Sequence, residues 1–282
     1  MRTTLKNSFY WITLIILLCG ATTDKNALKV TSIGNCGFMY ESHTNKVLID
    51  PFGTQYGNLF YLPSKETQTM ITEGAAPFDR IALLLITHVH GDHFNPFLAE
   101  NFLLKNKKTK MVCPPQVYNQ MKDSCRNFLQ IETQLITPQI AMNESKIITV
   151  NGISVTVIRM QHGTIRSLEG VAYSDYTDYE KTENFGFVVH LGKKNIFHQG
   201  DGCLKINGKA LNKIDGTINI AHLSYFDWDS TSLNIVKNDL HAGKVIFMHG
   251  TKAGKELQTE EFKKIESQLV FFKQELESKI FD

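Results

Sequence analysis

Within the stretch ITHVHGDHF, the positions from 88 to 93 hold His88, His90, Asp92 and His93. A buried strand has no use for such a group, because each of these side chains is costly to bury without a partner. Imidazole suits zinc and other divalent first-row metals, and a carboxylate adds a harder ligand. On a tight turn, residues two apart point into one space. His88 and His90 therefore suit one ion, while Asp92 and His93 face a second. A single histidine is ordinarily a hydrogen-bonded core or surface residue, but four metal-ligating side chains packed together at a strand end are not ordinary.

Two ions need further ligands, and three later segments offer one each. VTVIRMQHG reaches His162 followed by Gly163, NIFHQGDG reaches Asp201 between Gly200 and Gly202, and KVIFMHG reaches His249 followed by Gly250. In each, an apolar strand-like run stops at one ligand type, and a glycine lets the backbone turn away.

The elements that must position these residues are the strands that end at them. RIALLLITH is a continuous apolar run of strand length, which predicts burial on both faces. ALKVTSIG, CGFMYES and KVLIDPF are β-branched or aromatic, punctuated by Gly, Asn and Pro, and the last of them stops at Asp50. A loop rich in Gly, Pro and Thr follows from Gly53 to Phe78, with room for one short helix. NPFLAENFLLKNKK predicts a helix with Asn95 as N-cap and Pro96 in its first turn, and PQVYNQMKDSCRNFL predicts another. KMVCPP and TQLITP read as strands. KIITVNGISVTVIRM reads as a hairpin turning at Asn151-Gly152, and NFGFVVHLGKKNIFHQGD as a second turning near Gly192. A polar loop from His162 to Lys181 between them has the character of a substrate-side insertion. GTINIAHLSYF and GKVIFMHG are two more strands, with a helix from about Ser230 to Leu240 between them. The closing stretch carries Phe262, Ile265, Leu269, Phe272 and Leu276 on one helical stripe, with Thr259 as cap. Two sheets with helices on their outer faces satisfy this order. No linker interrupts it, so residues 28–282 are expected to form one domain.

Composition fits that reading. The chain has 282 residues, 42% apolar and 21% charged, as a soluble globular domain does. Its 30 basic and 28 acidic residues leave a formal charge of +2, too even to suggest a nucleic-acid or anionic-membrane partner. The start differs: Arg2 and Lys6 precede an apolar run from Phe9 to Leu18 and then small residues, the pattern of a secretory signal peptide over residues 1–21. That run falls short of the ~20 residues needed to span a bilayer. The alternative is a lipoprotein signal over residues 1–18, with a lipidated Cys19 attaching the chain to a membrane. Either implies export, to a periplasm or beyond. Cys36, Cys113, Cys125 and Cys203 have irregular spacings and no CxxC pattern, and are expected as buried free thiols. Cys113 and Cys125 are the pair to test first for a bridge.

THVHGDH, followed in order by His162, Asp201 and His249, resembles the metallo-β-lactamase superfamily over nearly all of residues 28–282. The resemblance implies an α/β fold, the four-layer αββα sandwich, and a metal-dependent hydrolase. It implies His88, His90 and His162 as ligands of a first metal, Asp92, His93 and His249 as ligands of a second, and Asp201 as the bridging carboxylate. Asp50 matches a supporting residue near the ligands. KVLIDPF, ENFGFVVHLGKKNIFHQGDG and VIFMHG are most similar to the branch of ascorbate-phosphate lactonase-like proteins and N-acylphosphatidylethanolamine phospholipase D. Aspartate at 201 departs from the cysteine-bearing true β-lactamases, and FNPF after the cluster lacks the paired glycines of glyoxalase II. His198 and Gly202 also differ from the residues commonest around that aspartate.

The implied reaction uses two divalent ions, zinc first and manganese or iron as alternatives, to lower the pKa of a shared water and clamp the oxyanion that forms. The expected target is an ester, lactone, amide or phosphodiester in a small-molecule or lipid-derived substrate, with Asp92 and Asp201 as the catalytic carboxylates. A lipid phosphodiesterase and a metal-loaded sensor without turnover are the rival readings. His198, His222 and Tyr225 join Asp50 as supporting or substrate-side candidates, with local packing the competing role for His222, Tyr225 and Trp228. Tyr173, Tyr176 and Tyr179 belong to the polar loop, either gating the site or at its surface. His43, His190 and His241 are expected to be solvated.

Overall fold

The computed structural model describes residues 27–43, 45–163, 181–212, 214, 216–224, 228–250 and 260–282. The leader with Cys19, the loop tyrosines at 173, 176 and 179, Tyr225 and the cap Thr259 lie outside the described residues.

Two sheets face one another. The first half of the chain supplies β1 (Leu28–Gly34), β2 (Gly37–Ser42), β3 (Asn45–Ile49), α1 (Lys65–Glu73), β4 (Leu83–Leu85), α2 (Pro96–Lys105), β5 (Lys110–Val112), α3 (Pro115–Ser124), α4 (Phe128–Ile131) and β6 (Leu135–Ile136). The second half supplies β7 (Ser145–Val150), β8 (Ile153–Gln161), β9 (Glu183–Leu191), β10 (Lys194–His198), α5 (Gly208–Leu211), β11 (Ile220–Ser224), α6 (Ser230–Asn238), β12 (Lys244–Met248), α7 (Glu260–Lys263) and β13 (Ser278–Phe281). One sheet runs β13-β1-β2-β3-β4-β5-β6 and the other β12-β11-β10-β9-β8-β7. The β13-β1-β2-β3 and β10-β9-β8-β7 parts are antiparallel, while β3-β4-β5-β6 and β10-β11-β12 are parallel.

The period of two along each strand divides the side chains between layers. In β2, Phe38 and Tyr40 point between the sheets while Met39 points outward; in β3, Val47 and Ile49 point in and Leu48 out. In β4, Leu83 and Leu85 meet the inter-sheet core and Leu84 the outer layer, so its three leucines are buried on both faces as the apolar run predicts. The opposite sheet answers with Val155, Val157, Phe185, Phe187, Val189 and Ile196. Outside the first sheet, Phe102, Leu103, Val117 and Met121 of α2 and α3 cover it; outside the second, Leu233, Ile235 and Val236 of α6 do so. These are the four layers of an αββα sandwich.

Local signals place the helices. Asn95 accepts from Phe97 N–H and Leu98 N–H ahead of Pro96, and Ser64 accepts from Thr67 N–H to start α1. Asp229 caps α6 by accepting from Ser232 N–H. The stretch from 115 to 129 does not form one helix: it breaks at Cys125, whose ψ of 128° is extended, and resumes as α4. The closing stretch departs further. Instead of a long helix it gives short α7, a single tight turn over Glu266–Gln268, and then β13, which pairs antiparallel with β1 from Leu28↔Phe281 to Thr31↔Ser278. Leu276 sits at φ 61°, which no helix tolerates. The stripe residues serve different layers. Phe262 and Ile265 are buried, Phe272 packs 5.8 Å from Phe38 between the sheets, and Leu276 lies against the outer layer of the first sheet. An open sheet edge outweighs helical spacing here, because tertiary pairing overrides propensity.

Cys36, Cys113, Cys125 and Cys203 are all buried free thiols. No helix of the described residues is long and apolar enough to cross a membrane.

Candidate metal centre

Strand ends converge on one rim of the sandwich. The loop after β4 carries His88, His90, Asp92 and His93, folded tightly enough that His93 N–H and Phe94 N–H both donate to the His90 carbonyl. His162 follows β8, Asp201 follows β10 and His249 follows β12. Gly163 N–H donates to the Asp201 carbonyl at 2.7 Å and Asp201 N–H to Asn184 Oδ1 at 3.0 Å, tying the loops together. A side chain at Gly200, where φ is 58°, would put Cβ 2.5 Å from Asn184 Oδ1, so the turn that delivers Asp201 requires glycine.

The seven sequence-derived ligands fall into two groups. His88, His90, His162 and Asp201 form one; Asp92 and His93 form the other with His249 and Cys36. Within each, the ligand atoms all lie within 4.8 Å of one another. Asp201 stands between them. Its Oδ2 is 3.7 Å from His88 Nε2 and 3.6 Å from His162 Nε2, while its Oδ1 is 3.2 Å from both His93 Nε2 and His249 Nε2. Asp92 Oδ2 is 3.7 Å from His93 Nε2 and 3.5 Å from His249 Nε2.

The far nitrogens of the imidazoles are fixed by neighbours, which sets what the near nitrogens offer. Thr87 donates its hydroxyl proton to Asp50 Oδ2 at 2.6 Å, so its oxygen accepts from His88 Nδ1 at 2.9 Å. His93 Nδ1 donates to Asp50 Oδ2 at 2.8 Å and His162 Nδ1 donates to the Gly163 carbonyl at 2.6 Å. Ser224 Oγ lies 3.4 Å from His249 Nδ1. Four Nε2 atoms therefore point inward, joined by His90 Nδ1, 3.1 Å from His88 Nε2, with Thr182 Oγ1 3.5 Å from its other nitrogen.

These donors fit divalent ions. Tetrahedral coordination with bonds of ~2.0–2.1 Å places donor atoms about 3.3 Å apart, the separation seen among these nitrogens and oxygens. Asp201 Oδ1 is buried and receives no hydrogen bond, although two imidazole nitrogens face it. A cation would satisfy that oxygen.

The electrostatics divide the same way. Burial lowers His88 well below the ordinary histidine range, with His93 adding to the effect; burial also lowers His90, and takes His162 down to about 4. This group is neutral and ready to ligate. For His249, burial is outweighed by Asp201, Cys36 and Asp92, which hold it up at about 10. His93 is likewise raised, burial losing to Cys36, Asp201, Asp92 and Asp50. Against their own burial, Asp201 is held well below the usual carboxylate range by His249 and His93, and Asp92 is lowered by His93 and His249.

Asp50 is buried beneath the site. Besides His93 and the Thr87 hydroxyl, it accepts from Thr87 N–H at 2.8 Å. His198 reaches the turn after β1: its Nε2 donates to the Cys36 carbonyl at 3.1 Å, and its Nδ1 accepts from Gly200 N–H. His222 is not a substrate-side residue. It is fully buried between the sheets, stacked on His198 at 5.5 Å and packed 4.2 Å from the Phe38 ring. Its place in β11, in register with His198 of β10, points it into the inter-sheet core. Trp228 packs on Phe247 and Phe262. His43 and His241 are exposed, but His190 is held between Thr156 and Asn195. Residues not anticipated from sequence are Cys36, Thr87 and Asn184. Cys36 had a signal: GNCGF sets it at a strand end beside glycine, as for the later ligands.

The family model for the β-lactamase superfamily domain matches residues 45–232. A UPF0173 metal-dependent hydrolase of Pyrococcus abyssi is 26% identical over 196 residues, covering 70% of this chain and 71% of its own. Among solved structures, the metallo hydrolase Igni18 of Ignicoccus hospitalis superposes with a TM-score of 0.60 at 17% identity, covering 91% of this chain and 99% of its own. The metallo-β-lactamase fold protein YhfI of Bacillus subtilis gives 0.59 at 14% identity, covering 91% and 100%. The chain therefore belongs to the β-lactamase superfamily.

Proposed function

We propose that this protein is a dinuclear hydrolase in which Asp201 bridges two divalent ions, one held by His88, His90 and His162 and the other by Asp92, His93 and His249. The observation that carries this reading is the orientation of Asp201, one carboxylate oxygen toward each group of imidazoles. Such a pair of ions would acidify a bound water and stabilise the negative charge of the transition state.

The chain's own residues do the rest. Thr87, Asp50 and Gly163 hold His88, His93 and His162 in the tautomer that presents Nε2. Asp92, buried and lowered toward its ionised form, orients the attacking water from the second group. The expected substrates are an ester, lactone, amide or phosphodiester, small or lipid-derived. Export through the apolar leader is part of the proposal, and zinc is the expected metal.

Metal analysis and hydrolysis by His90→Ala and Asp201→Ala, assayed with chromogenic esters, lactones and phosphodiesters, test the assignment. Each variant should lose metal and turnover. Full loading with undiminished hydrolysis in both would refute it.

A further inference from the structure

Cys36 stands out among the four buried cysteines. Cys113, Cys125 and Cys203 belong to neither ligand group, whereas the Cys36 sulfur lies within 4.8 Å of the ligand atoms of Asp92, His93 and His249. Its Sγ is 3.1 Å from His249 Nε2, the nitrogen that also faces Asp201 Oδ1 and Asp92 Oδ2.

The turn that carries it is pinned from several sides. His198 donates to its carbonyl, Asn35 Nδ2 reaches Asp92 Oδ2 at 3.4 Å, and a Cβ on Gly34 would come within 2.9 Å of the Tyr61 carbonyl oxygen. The side chain is fully buried. An independent observation marks this side of the site as short of a cation: Asp201 Oδ1, buried and aimed at the same nitrogens, receives no hydrogen bond.

We propose that Cys36, as its thiolate, is a direct ligand of the ion at the second group, making that site a Cys-Asp-His-His set bridged to the first by Asp201. The inference rests on the dinuclear reading above. It deepens that reading by making the two positions chemically unlike: three imidazoles and a carboxylate on one side, a sulfur on the other. Thiolate is a soft ligand that favours zinc over the oxygen-preferring manganese and magnesium. Metal selectivity is therefore set at the second position, by a residue from the turn between the first two strands.

Cobalt substitution of the full chain tests this without an activity readout. With two cobalt ions bound, the wild type should show a thiolate-to-cobalt charge-transfer band in the near ultraviolet. Cys36→Ser should lose it, whereas Cys113→Ser and Cys203→Ser should keep it. In competition, Cys36→Ser should also lose roughly 10-fold or more of its zinc preference over manganese at the second position. Two bound cobalt ions without the band, or a band that survives Cys36→Ser, would overturn the proposal and leave the dinuclear reading intact. Failure to bind a second ion at all would sink both. If Cys36→Ser does not fold, zinc-edge absorption of the wild type decides: a sulfur neighbour at ~2.3 Å supports the assignment, and a shell of nitrogen and oxygen alone overturns it.

Discussion

Replacing Asp50 by asparagine should weaken both metal positions, the second directly through His93 and the first through Thr87 and His88. Asp50 touches no proposed ion. It accepts from Thr87 N–H through Oδ1, and from the Thr87 hydroxyl and His93 Nδ1 through Oδ2. Asparagine keeps the shape and one acceptor. With its carbonyl toward Thr87 N–H, its NH2 group faces His93 Nδ1, which must then accept. The imidazole proton moves to Nε2, the atom that faces Asp201 and His249. The flipped amide sets donor against donor at Thr87 N–H and is no better. Losing such a partner costs roughly 10–100-fold in metal affinity, or about 1.4–2.8 kcal/mol. Titrating the zinc-loaded variant with a competing chelator should show the second-group phase weakened by that factor and the first-group phase weakened as well, because the same NH2 faces the Thr87 hydroxyl that holds His88. Thr87→Val is the mirror experiment, since it removes the acceptor for His88 Nδ1 and should weaken the first group. A folded Asp50→Asn protein with both phases at wild-type affinity would show that tautomer control by Asp50 is not how His93 is held.

Gly53→Ala would push a Cβ to within 2.2 Å of the Asp92 carbonyl oxygen, which is backbone and cannot swing aside; second-site metal binding should fall while the protein stays folded, as chelator titration and circular dichroism would report. The pKa of His249, held at about 10, means that the metal-free protein carries it as imidazolium at neutral pH. Metal uptake by that group should therefore release protons and tighten as pH rises, measurable with an indicator dye. His249 is raised above the ordinary ~6.5, so its contribution to metal-free stability is full below that pH and is lost as pH climbs toward 10, seen as a falling Tm. His222→Leu should keep its metal and lose little stability, because neither ring nitrogen has a hydrogen-bond partner among the described residues; loss of metal would return His222 to the site. Phe187→Ala, emptying a fully buried inter-sheet position, should cost about 3–5 kcal/mol in a denaturant titration.

Much of the centre was legible because its chemistry sits where strands stop. The runs ending at His88, His162, Asp201 and His249 show both the element and the ligand in one glance. Hairpins at Asn151-Gly152 and Gly192, and the Asn95 cap, were readable for equally local reasons. What escaped depends on distant partners. The stripe from Phe262 to Leu276 has helical spacing, but the open edge of β1 recruits its end as a strand, and nothing local to those residues announces that edge. His222 resembles His162 in ending an apolar run; only pairing of β11 with β10 shows that it faces inward. Cys36 carried the strand-end-and-glycine signature, yet counting cysteines for bridges hides the one whose sulfur meets imidazole.

The pairing of β13 with β1 ties together positions 247 apart, down to a 2.8 Å contact between the Thr31 and Ser278 hydroxyls. A ribosome releases the first of these long before the second exists. Until synthesis reaches Ser278–Phe281, β1 therefore waits with a bare flank, able to recruit any other extended polypeptide. Closing that seam comes late, and it is one of the most sequence-distant contacts the nascent molecule makes, the kind that slows folding most.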